Sequence, residues 1–275
     1  MMDEKLLDED LEKMQPYLMK WHREYSVMLL TSPYETLKYE VTMEGFASVK
    51  DMLCQSYLYS ISEAFRELVK TYYYAQAAYK IEKELREKGE TGWSNHWKYE
   101  VKNYYFRTVI PRIISLLDYV AVMINELSRC ELVKEEGRVY FNPFKALLRK
   151  RKQKAGWLSF EEIKELNRIL SHAYKGIQQE DRKILRHYRN TATHRYFVGI
   201  DEVSVPFQRR KLSKQEQQML ETQQKYSYGM RGRPEYSYDE LNGTAEKLLN
   251  NLDVMLSRLI GMDMMQSAVK RIEEE

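Results

Sequence analysis

The chain has 275 residues, 43% of them hydrophobic and 31% charged, a composition that excludes a disordered polypeptide and allows a large core. Its formal net charge of +3 excludes a bulk polycation, so any attraction to nucleic acid has to come from local patches. Only 11 glycines and 6 prolines interrupt the many helix-forming residues, and this composition predicts an all-α fold.

Four segments of the first half follow a helical or an extended pattern. Apolar residues recur every three or four positions in 3–30, which predicts a first amphipathic helix. Residues 34–45 alternate like a strand, but no partner strand is near, so we favour a connector. Residues 48–88 and 94–129 are strongly helical and are joined by a short loop. They predict two long antiparallel helices, the backbone of an up-down helical bundle.

The most apolar stretch, 109–127, is interrupted by charged and polar residues, and we expect it to be too polar to cross a bilayer. The N-terminus lacks an apolar signal-peptide core. Cys54 and Cys130 lie in apolar surroundings and are expected to be buried thiols. These features predict a cytoplasmic protein with no membrane contact, no metal and no cofactor.

A short basic helix is expected over 143–152, with Asn142 as its N-cap and Pro143 in its first turn. It carries the densest cationic cluster of the chain, which could follow a phosphate backbone. A solvated helix end is the alternative. The cluster contains Lys145, Arg149, Lys150 and Arg151.

Two further helices complete the expected bundle around the motif helix described below. Ser159 and Glu162 form a capping box that predicts a helix start. A last helix begins near Tyr238 and returns to the core, so the chain is expected to be a single helical domain over 1–275. The 22 tyrosines are expected to line helix–helix interfaces. The more specific alternative is a tyrosine-rich surface on which nucleic-acid bases stack.

Residues 199–238 change character, because glycines and prolines punctuate them and apolar residues become sparse. They are expected to form a loop-rich insertion with a short helix near 213–224. Arg209 and Arg210 add positive charge. The segment could cover a binding cleft as a lid or an RNA clamp, and a disordered insertion is the alternative.

The segment 178–196 predicts an amphipathic helix that carries the most concentrated chemistry of the sequence. His187, Asn190 and His194 fall in a narrow stripe that points away from its core face, and Arg189 lies on the flank. The residues expected on the core face are Ile184, Leu185, Tyr188 and Ala192.

Residues 189–194, Arg-Asn-Thr-Ala-Thr-His, resemble the Arg-polar-x-x-x-His motif of the HEPN superfamily, whose members are helical and in many cases ribonucleases. His194-Arg195-Tyr196 also resembles the His-x-Tyr ending of HEPN toxins that pair with small nucleotidyltransferase antitoxins. In such families the arginine and histidine of two subunits line one RNA-cleaving cleft, and no metal is needed. The resemblance implies an HEPN-like fold, an RNA substrate, an antitoxin partner of this type, and Tyr196 as the position for modification.

Arg189 and His194 are five positions apart, roughly 140° around a straight helix, so a single helix does not bring them together. A two-fold copy of the helix could, and we therefore expect a homodimer through this helix. Histidine suits proton transfer near neutral pH, and arginine suits the charge that develops on phosphate oxygens. His194 is the expected acid and base, Arg189 the phosphate clamp, and Asn190 an orienting group.

The rival interpretation is a non-catalytic helical scaffold or a nucleotide- or RNA-binding module. Burial of His194 against Asp118 or tyrosines would favour the scaffold, and exposure in a shared positive groove would favour the nuclease. The residues expected to contact nucleic acid outside the catalytic set are Lys145, Arg149, Lys150, Arg151, Arg186, His187, Arg209 and Arg210.

Overall fold

A computed structural model describes residues 4–21, 49–129, 132–194 and 197–265. The fold is mostly helical, which confirms the expected class. The helices are α1 (Glu4–Trp21), α2 (Val49–Glu87), α3 (Thr91–Asn95), α4 (Asn103–Ser128), α5 (Phe141–Lys150), α6 (Phe160–Ser171), α7 (Gln179–His194), α8 (Lys214–Met219) and α9 (Tyr238–Ile260), and a π-helical segment, His96–Lys102, joins α3 to α4. Two strands, β1 (Phe207–Lys211) and β2 (Tyr226–Met230), pair with each other.

The two long helices expected from the sequence are confirmed as α2 and the run from α3 to α4. Their direction is antiparallel, because contacts descend along α2 as they ascend along α4. The Tyr74 ring stacks on the Tyr105 ring with centroids 5.0 Å apart. Arg112, further along α4, forms a 3.0 Å ion pair with Glu67, further back on α2. Gly89, at a φ of +78° that favours glycine, lies in the turn between them.

One apolar cluster runs from Cys54 on α2 to Met265 after α9, and α1 packs Met14 into a second cluster beside it. By length and hydropathy alone, the helical run Thr91–Ser128 is long and apolar enough to cross a membrane, contrary to the expectation from its polar residues. Within the fold, 56% of its most apolar window is buried. Its apolar stripe is therefore accounted for by packing against α2, α7 and α9.

A buried cation joins the helical hairpin to the C-terminal half. The Lys102 side chain is 1% exposed, and its Nζ lies 3.0 Å from Asp201 Oδ2 and 3.9 Å from Glu82 Oε2. The same ammonium group lies over the rings of Tyr79 and Tyr238. Burial lowers the pKa of Lys102, while the two carboxylates oppose that shift.

Residues 199–238 contain the expected short helix, here α8, and also a two-stranded antiparallel hairpin that the sequence did not predict. Ile200 and Tyr236 form a parallel bridge that attaches the ends of this segment to each other. Arg107 of α4 holds the start of the segment, because its Nε donates to the Val198 carbonyl at 3.0 Å and its Nη2 to Glu202 at 2.9 Å.

Among the remaining sequence-based expectations, some are confirmed, one is wrong and some concern residues that the structure does not describe. The capping box at Ser159 is confirmed. The α5 helix begins at Phe141 and not after Asn142, with Tyr140 as its N-cap. The expected connector 34–45 and Cys130 lie outside the described residues, whereas Cys54 is buried, as expected.

Candidate functional site

Helix α7 is held on α4 at the point where a proline interrupts the backbone hydrogen bonds of α4. Pro111 has no N–H, so the carbonyl of Arg107, four residues earlier, loses its helical donor. The Tyr188 hydroxyl donates to that carbonyl oxygen at 3.3 Å. The Tyr188 ring is fully buried and meets the Tyr236 ring edge-on, with centroids 4.9 Å apart. Burial raises the pKa of Tyr188, so this hydroxyl remains a donor throughout the neutral range.

The buried face of α7 is narrower than the sequence predicts. Leu185 and Tyr188 are buried as expected, and Thr191 is buried with them. Ile184 is 46% exposed and Ala192 is also exposed, so the prediction that both belong to the core is wrong. Helix α7 faces α4 with residues 185, 188 and 191, so Ile184 and Ala192 lie at the edges of the contact.

A cleft of about 970 Å³ lies along the side of α7 that carries Arg182, Arg186 and Arg189. We call it the α7 cleft. Its other walls come from α4, from the start of α5, from residues 174–178 before α7 and from Leu248 of α9. Apolar side chains form much of its lining, and charged and polar groups stand among them, as in many ligand sites. The polar residues that line it are Asp118, Tyr140, Asn142, Tyr174, Gln178, Gln179, Arg182, Lys183, Arg186, Arg189 and Asn190.

Two of the three predicted catalytic residues, Arg189 and Asn190, line the α7 cleft, and both are half-buried. Arg189 Nη1 donates to Asn190 Oδ1 at 3.3 Å, so the amide holds the guanidinium. Arg186, one turn earlier, is exposed at the same cleft. Across the described ranges, neither arginine forms an ion pair within 4.0 Å. Neither arginine is therefore neutralised by a carboxylate in direct contact, although Asp118 lies near enough to Arg189 for their charges to interact.

Arg182 and Lys183 also line the cleft, but their charged groups are engaged. Arg182 donates from Nε and Nη2 to the Ile177 carbonyl, and from Nη2 to the Tyr174 carbonyl at 2.9 Å. It thereby closes the turn before α7. Lys183 forms a 2.9 Å ion pair with Glu180. Arg186 and Arg189 are consequently the cations best placed to receive an anionic ligand.

Asp118 of α4 also lines the cleft, and the sequence analysis considered it only as a possible neighbour of His194. Its Oδ1 accepts the Phe141 backbone N–H at 2.8 Å, so it caps the start of α5. Burial raises the pKa of Asp118, while the Phe141 N–H and the positive charge of Arg189 oppose that shift. No local sequence signal could reveal this contact, because the two residues are 23 positions apart and on different helices.

Tyr174 forms part of the same cleft and was also missed. Burial raises its pKa, against the lowering effects of the Asn142 side chain and the nearby arginines. Its ring lies under the Arg182 guanidinium at 5.1 Å. A tyrosine before the motif helix gives no signal by itself in a chain with 22 of them.

His194 is the last residue of α7, and its side chain lies outside the described part of the structure, as do Arg195 and Tyr196. The pairing of Arg189 with a second subunit's histidine therefore stays a prediction, and so does modification at Tyr196. His187 lies outside the α7 cleft lining: its Nδ1 is 2.6 Å from the Tyr236 hydroxyl and 3.4 Å from Glu235 Oε1.

Apart from Arg186, the cations predicted to contact nucleic acid lie outside the cleft lining. Lys145 is half-buried, and its Nζ donates to the Leu170 carbonyl at 3.2 Å. Burial lowers the pKa of Lys145, and the charges of Arg182 and Arg149 lower it further. Exposed cations at the end of α5 and just after it are Arg149, Lys150 and Arg151. Arg209 and Arg210 lie on β1.

No protein-family model, no curated protein and no solved structure matches this chain. The resemblance to HEPN proteins is carried by residues 189–196. Two residues of that motif, Arg189 and Asn190, share a cleft with Arg186 and with the partly buried carboxyl group of Asp118. Such a set can bind a phosphodiester and exclude part of its hydration shell.

Proposed function

We propose that this protein binds RNA in the α7 cleft and cleaves it as a metal-independent, HEPN-type endoribonuclease that acts as a homodimer. The observation that supports this most directly is the position of Arg189 and Asn190 in a cleft of about 970 Å³, beside Arg186. Arg189 is half-buried and forms no ion pair with any carboxylate of the described ranges, and its planar fork is suited to two oxygens of a phosphate.

In the proposed reaction the RNA supplies its own nucleophile, the 2′-hydroxyl beside the scissile phosphate. One His194 removes the proton from this hydroxyl, and the 2′-oxygen forms a bond to phosphorus. The bond from phosphorus to the 5′-oxygen breaks, and the second His194 of the dimer protonates that leaving oxygen. Arg189 stabilises the charge on the non-bridging oxygens, and Asn190 fixes the direction of the guanidinium. The products are a 2′,3′-cyclic phosphate and a 5′-hydroxyl.

Helix geometry supports the proposed dimer. Residues 189 and 194 are roughly 140° apart on one helix, whereas two copies of α7 that meet can bring a guanidinium and an imidazole to one phosphate. We propose that the exposed flank of α7 provides this contact. Sedimentation of the purified chain tests the association, and a monomer at the concentrations used for catalysis would contradict it.

The decisive experiment compares cleavage of a single-stranded RNA in the presence of a chelator. The wild-type chain should produce cyclic-phosphate ends, and His194→Ala and Arg189→Ala should each reduce the rate by about a hundredfold or more. Arg168→Ala is the matched control, because Arg168 is an exposed cation of α6 outside the α7 cleft. Absence of cleavage, or equal rates for wild type and His194→Ala, would remove the enzyme proposal.

A second function, RNA or nucleotide binding without cleavage, is favoured by one specific observation. Arg186, Arg189 and Asn190 converge within a single chain, so phosphate can be held without a second subunit. An RNA with a 2′-deoxy nucleotide at each susceptible position cannot be cut and isolates binding. Binding that needs Arg189, together with no cleavage of ordinary RNA by wild type, would establish this function in place of the first.

By the same resemblance, we propose a nucleotidyltransferase-type antitoxin as a partner that modifies Tyr196. Co-expression with such an enzyme, followed by peptide mass spectrometry, should show a nucleotide mass on the peptide that contains Tyr196. The Tyr196→Phe variant should lose it. An unmodified wild-type peptide would contradict the proposal without affecting the cleavage test.

A further inference from the structure

One face of the β1–β2 hairpin presents aromatic and cationic side chains to solvent. In the register of the hairpin, Phe207 is opposite Met230, Arg209 is opposite Tyr228, and Lys211 is opposite Tyr226. Side chains alternate along a strand, so these three pairs lie on the same side of the hairpin. All six residues are exposed, with Tyr228 at 69% and Met230 at 73%. We call this set the hairpin face.

The rings of the hairpin face are arranged as a surface and not as a small core. The Phe207 and Tyr228 rings are nearly parallel, with an angle of 17° and centroids 6.2 Å apart. The Arg209 guanidinium lies 3.7 Å from the centre of the Tyr226 ring. An isolated two-stranded hairpin usually hides such rings against another layer. Here the planar groups remain open on their outer sides.

The charge of the hairpin face is of one sign. It carries Arg209 and Lys211 and no carboxylate, whereas Arg210 points to the other side and pairs with Glu216 at 2.5 Å. Planar rings that stack with bases, interleaved with cations at the spacing of a strand, fit a single-stranded polynucleotide. A purely apolar protein surface would bury Arg209 and Lys211 without neutralising them, which is costly.

We propose that the hairpin face binds single-stranded RNA, with bases stacked on Phe207 and Tyr228 and phosphates beside Arg209 and Lys211. The choice of RNA over DNA rests on the proposed function; the stacking site itself does not. The face is a second binding site, separate from the α7 cleft in its residues.

The base of the hairpin is connected to the motif helix. Tyr236, just after β2, contacts both the Tyr188 ring and the His187 Nδ1 atom of α7. Arg231, at the end of β2, pairs with Glu235 at 2.5 Å and holds the segment that leads to Tyr236. The segment that carries the hairpin face is therefore attached to the motif helix through Tyr236.

The test measures binding of a fluorescent single-stranded RNA in the His194→Ala background, which prevents cleavage. The Phe207→Ser, Tyr228→Ser double variant should bind about tenfold more weakly or worse, since each lost stack weakens binding substantially. The Arg209→Ala, Lys211→Ala double variant should bind more weakly and depend less on salt. Met219→Ser is the control, because Met219 is 84% exposed and lies on α8, outside the face. All variants should keep the wild-type circular dichroism spectrum and melting temperature.

Unchanged RNA affinity in the Phe207→Ser, Tyr228→Ser variant would overturn the proposal, and so would an equal loss in the control. Tighter binding of single-stranded DNA than of RNA would refute the assignment to RNA. A variant that keeps its RNA affinity but loses self-association would show a protein interface instead.

If wild type fails to cleave RNA while the hairpin variants lose binding, the proposed function falls and the hairpin site stands. If Arg189→Ala abolishes cleavage and the hairpin variants bind RNA normally, the proposed function stands and the hairpin site falls.

Discussion

Lys102 and Arg189 are both withdrawn from solvent, but their surroundings differ in one respect. Lys102 is enclosed between Asp201 and Glu82, so its charge is neutralised inside the fold. Arg189 is half-buried at the α7 cleft and is held by a neutral amide, the Asn190 side chain. A buried cation with carboxylate partners stabilises packing between helices, whereas one held by an amide keeps its charge for a ligand. The contrast separates a structural centre from a candidate binding centre.

The largest expected effect is on the structural centre. Lys102→Met removes the cation that pairs with Asp201 and leaves Glu82 only its 3.5 Å ion pair with the exposed Arg86. A buried carboxylate that loses its partner is strongly destabilising. We expect the free energy of unfolding to fall by about 3 kcal/mol in denaturant titrations. Lys88→Met, at an exposed position, should change it by no more than about 0.5 kcal/mol. A loss equal to that of the control would mean that the buried pair does not hold the fold.

The attachment of α7 to α4 gives the second effect. Tyr188→Phe leaves the Arg107 carbonyl without a donor, because Pro111 cannot supply one. We expect a loss of about 2 kcal/mol in the free energy of unfolding, and Tyr119→Phe, at an exposed position on α4, should show almost none. In a Pro111→Ala background the new backbone N–H can bond to Arg107, so Tyr188→Phe should cost less. An identical cost in both backgrounds would contradict the proline explanation.

The binding centre should respond in affinity and not in stability. The Arg186→Ala, Arg189→Ala double variant should bind single-stranded RNA about tenfold more weakly, which corresponds to about 1.4 kcal/mol. The slope of log affinity against log salt should decrease by about 1.4, from two lost phosphate contacts on a single strand. The matched double control is Lys164→Ala, Arg168→Ala, because both cations are exposed on α6 and already pair with glutamates. Equal losses in the two double variants would point to general charge and not to the α7 cleft.

The sequence predicts well what depends on local periodicity. The long helices expected at 48–88 and 94–129 are observed as Val49–Glu87 and as the run from Thr91 to Ser128, because a three-to-four repeat of apolar residues determines both. The hairpin was missed because β1 and β2 are not joined by a short turn: helix α8 stands between them.

The candidate site could be predicted only in part. Arg189 and Asn190 form a contiguous motif, so their common location follows from one helix. Asp118 and Tyr174 reach the same cleft from other parts of the chain, and their approach depends on how α7 packs against α4. The core prediction failed at Ile184 for the same reason: periodicity gives the direction of the buried face but not its width.

The smallest expected effect is at Asp118. This residue has a structural role, because it caps α5, and it also belongs to the candidate site, because it faces Arg189. Burial holds the pKa of this carboxyl above its ordinary value, so its folded-state contribution is most favourable at pH values below the unfolded pKa. That contribution is lost as the pH rises through the folded-state pKa.

Asparagine keeps an oxygen for the Phe141 N–H but cannot ionise. Asp118→Asn should therefore gain stability relative to wild type between acidic and neutral pH, measured as the difference in melting temperature at several pH values. It should also bind RNA slightly more tightly at neutral pH, because the negative charge beside Arg189 is gone. A difference that shrinks as the pH rises would show instead that Arg189 and Asp118 compensate each other as Lys102 and Asp201 do, and the α7 cleft would then lack the free charge on which binding depends.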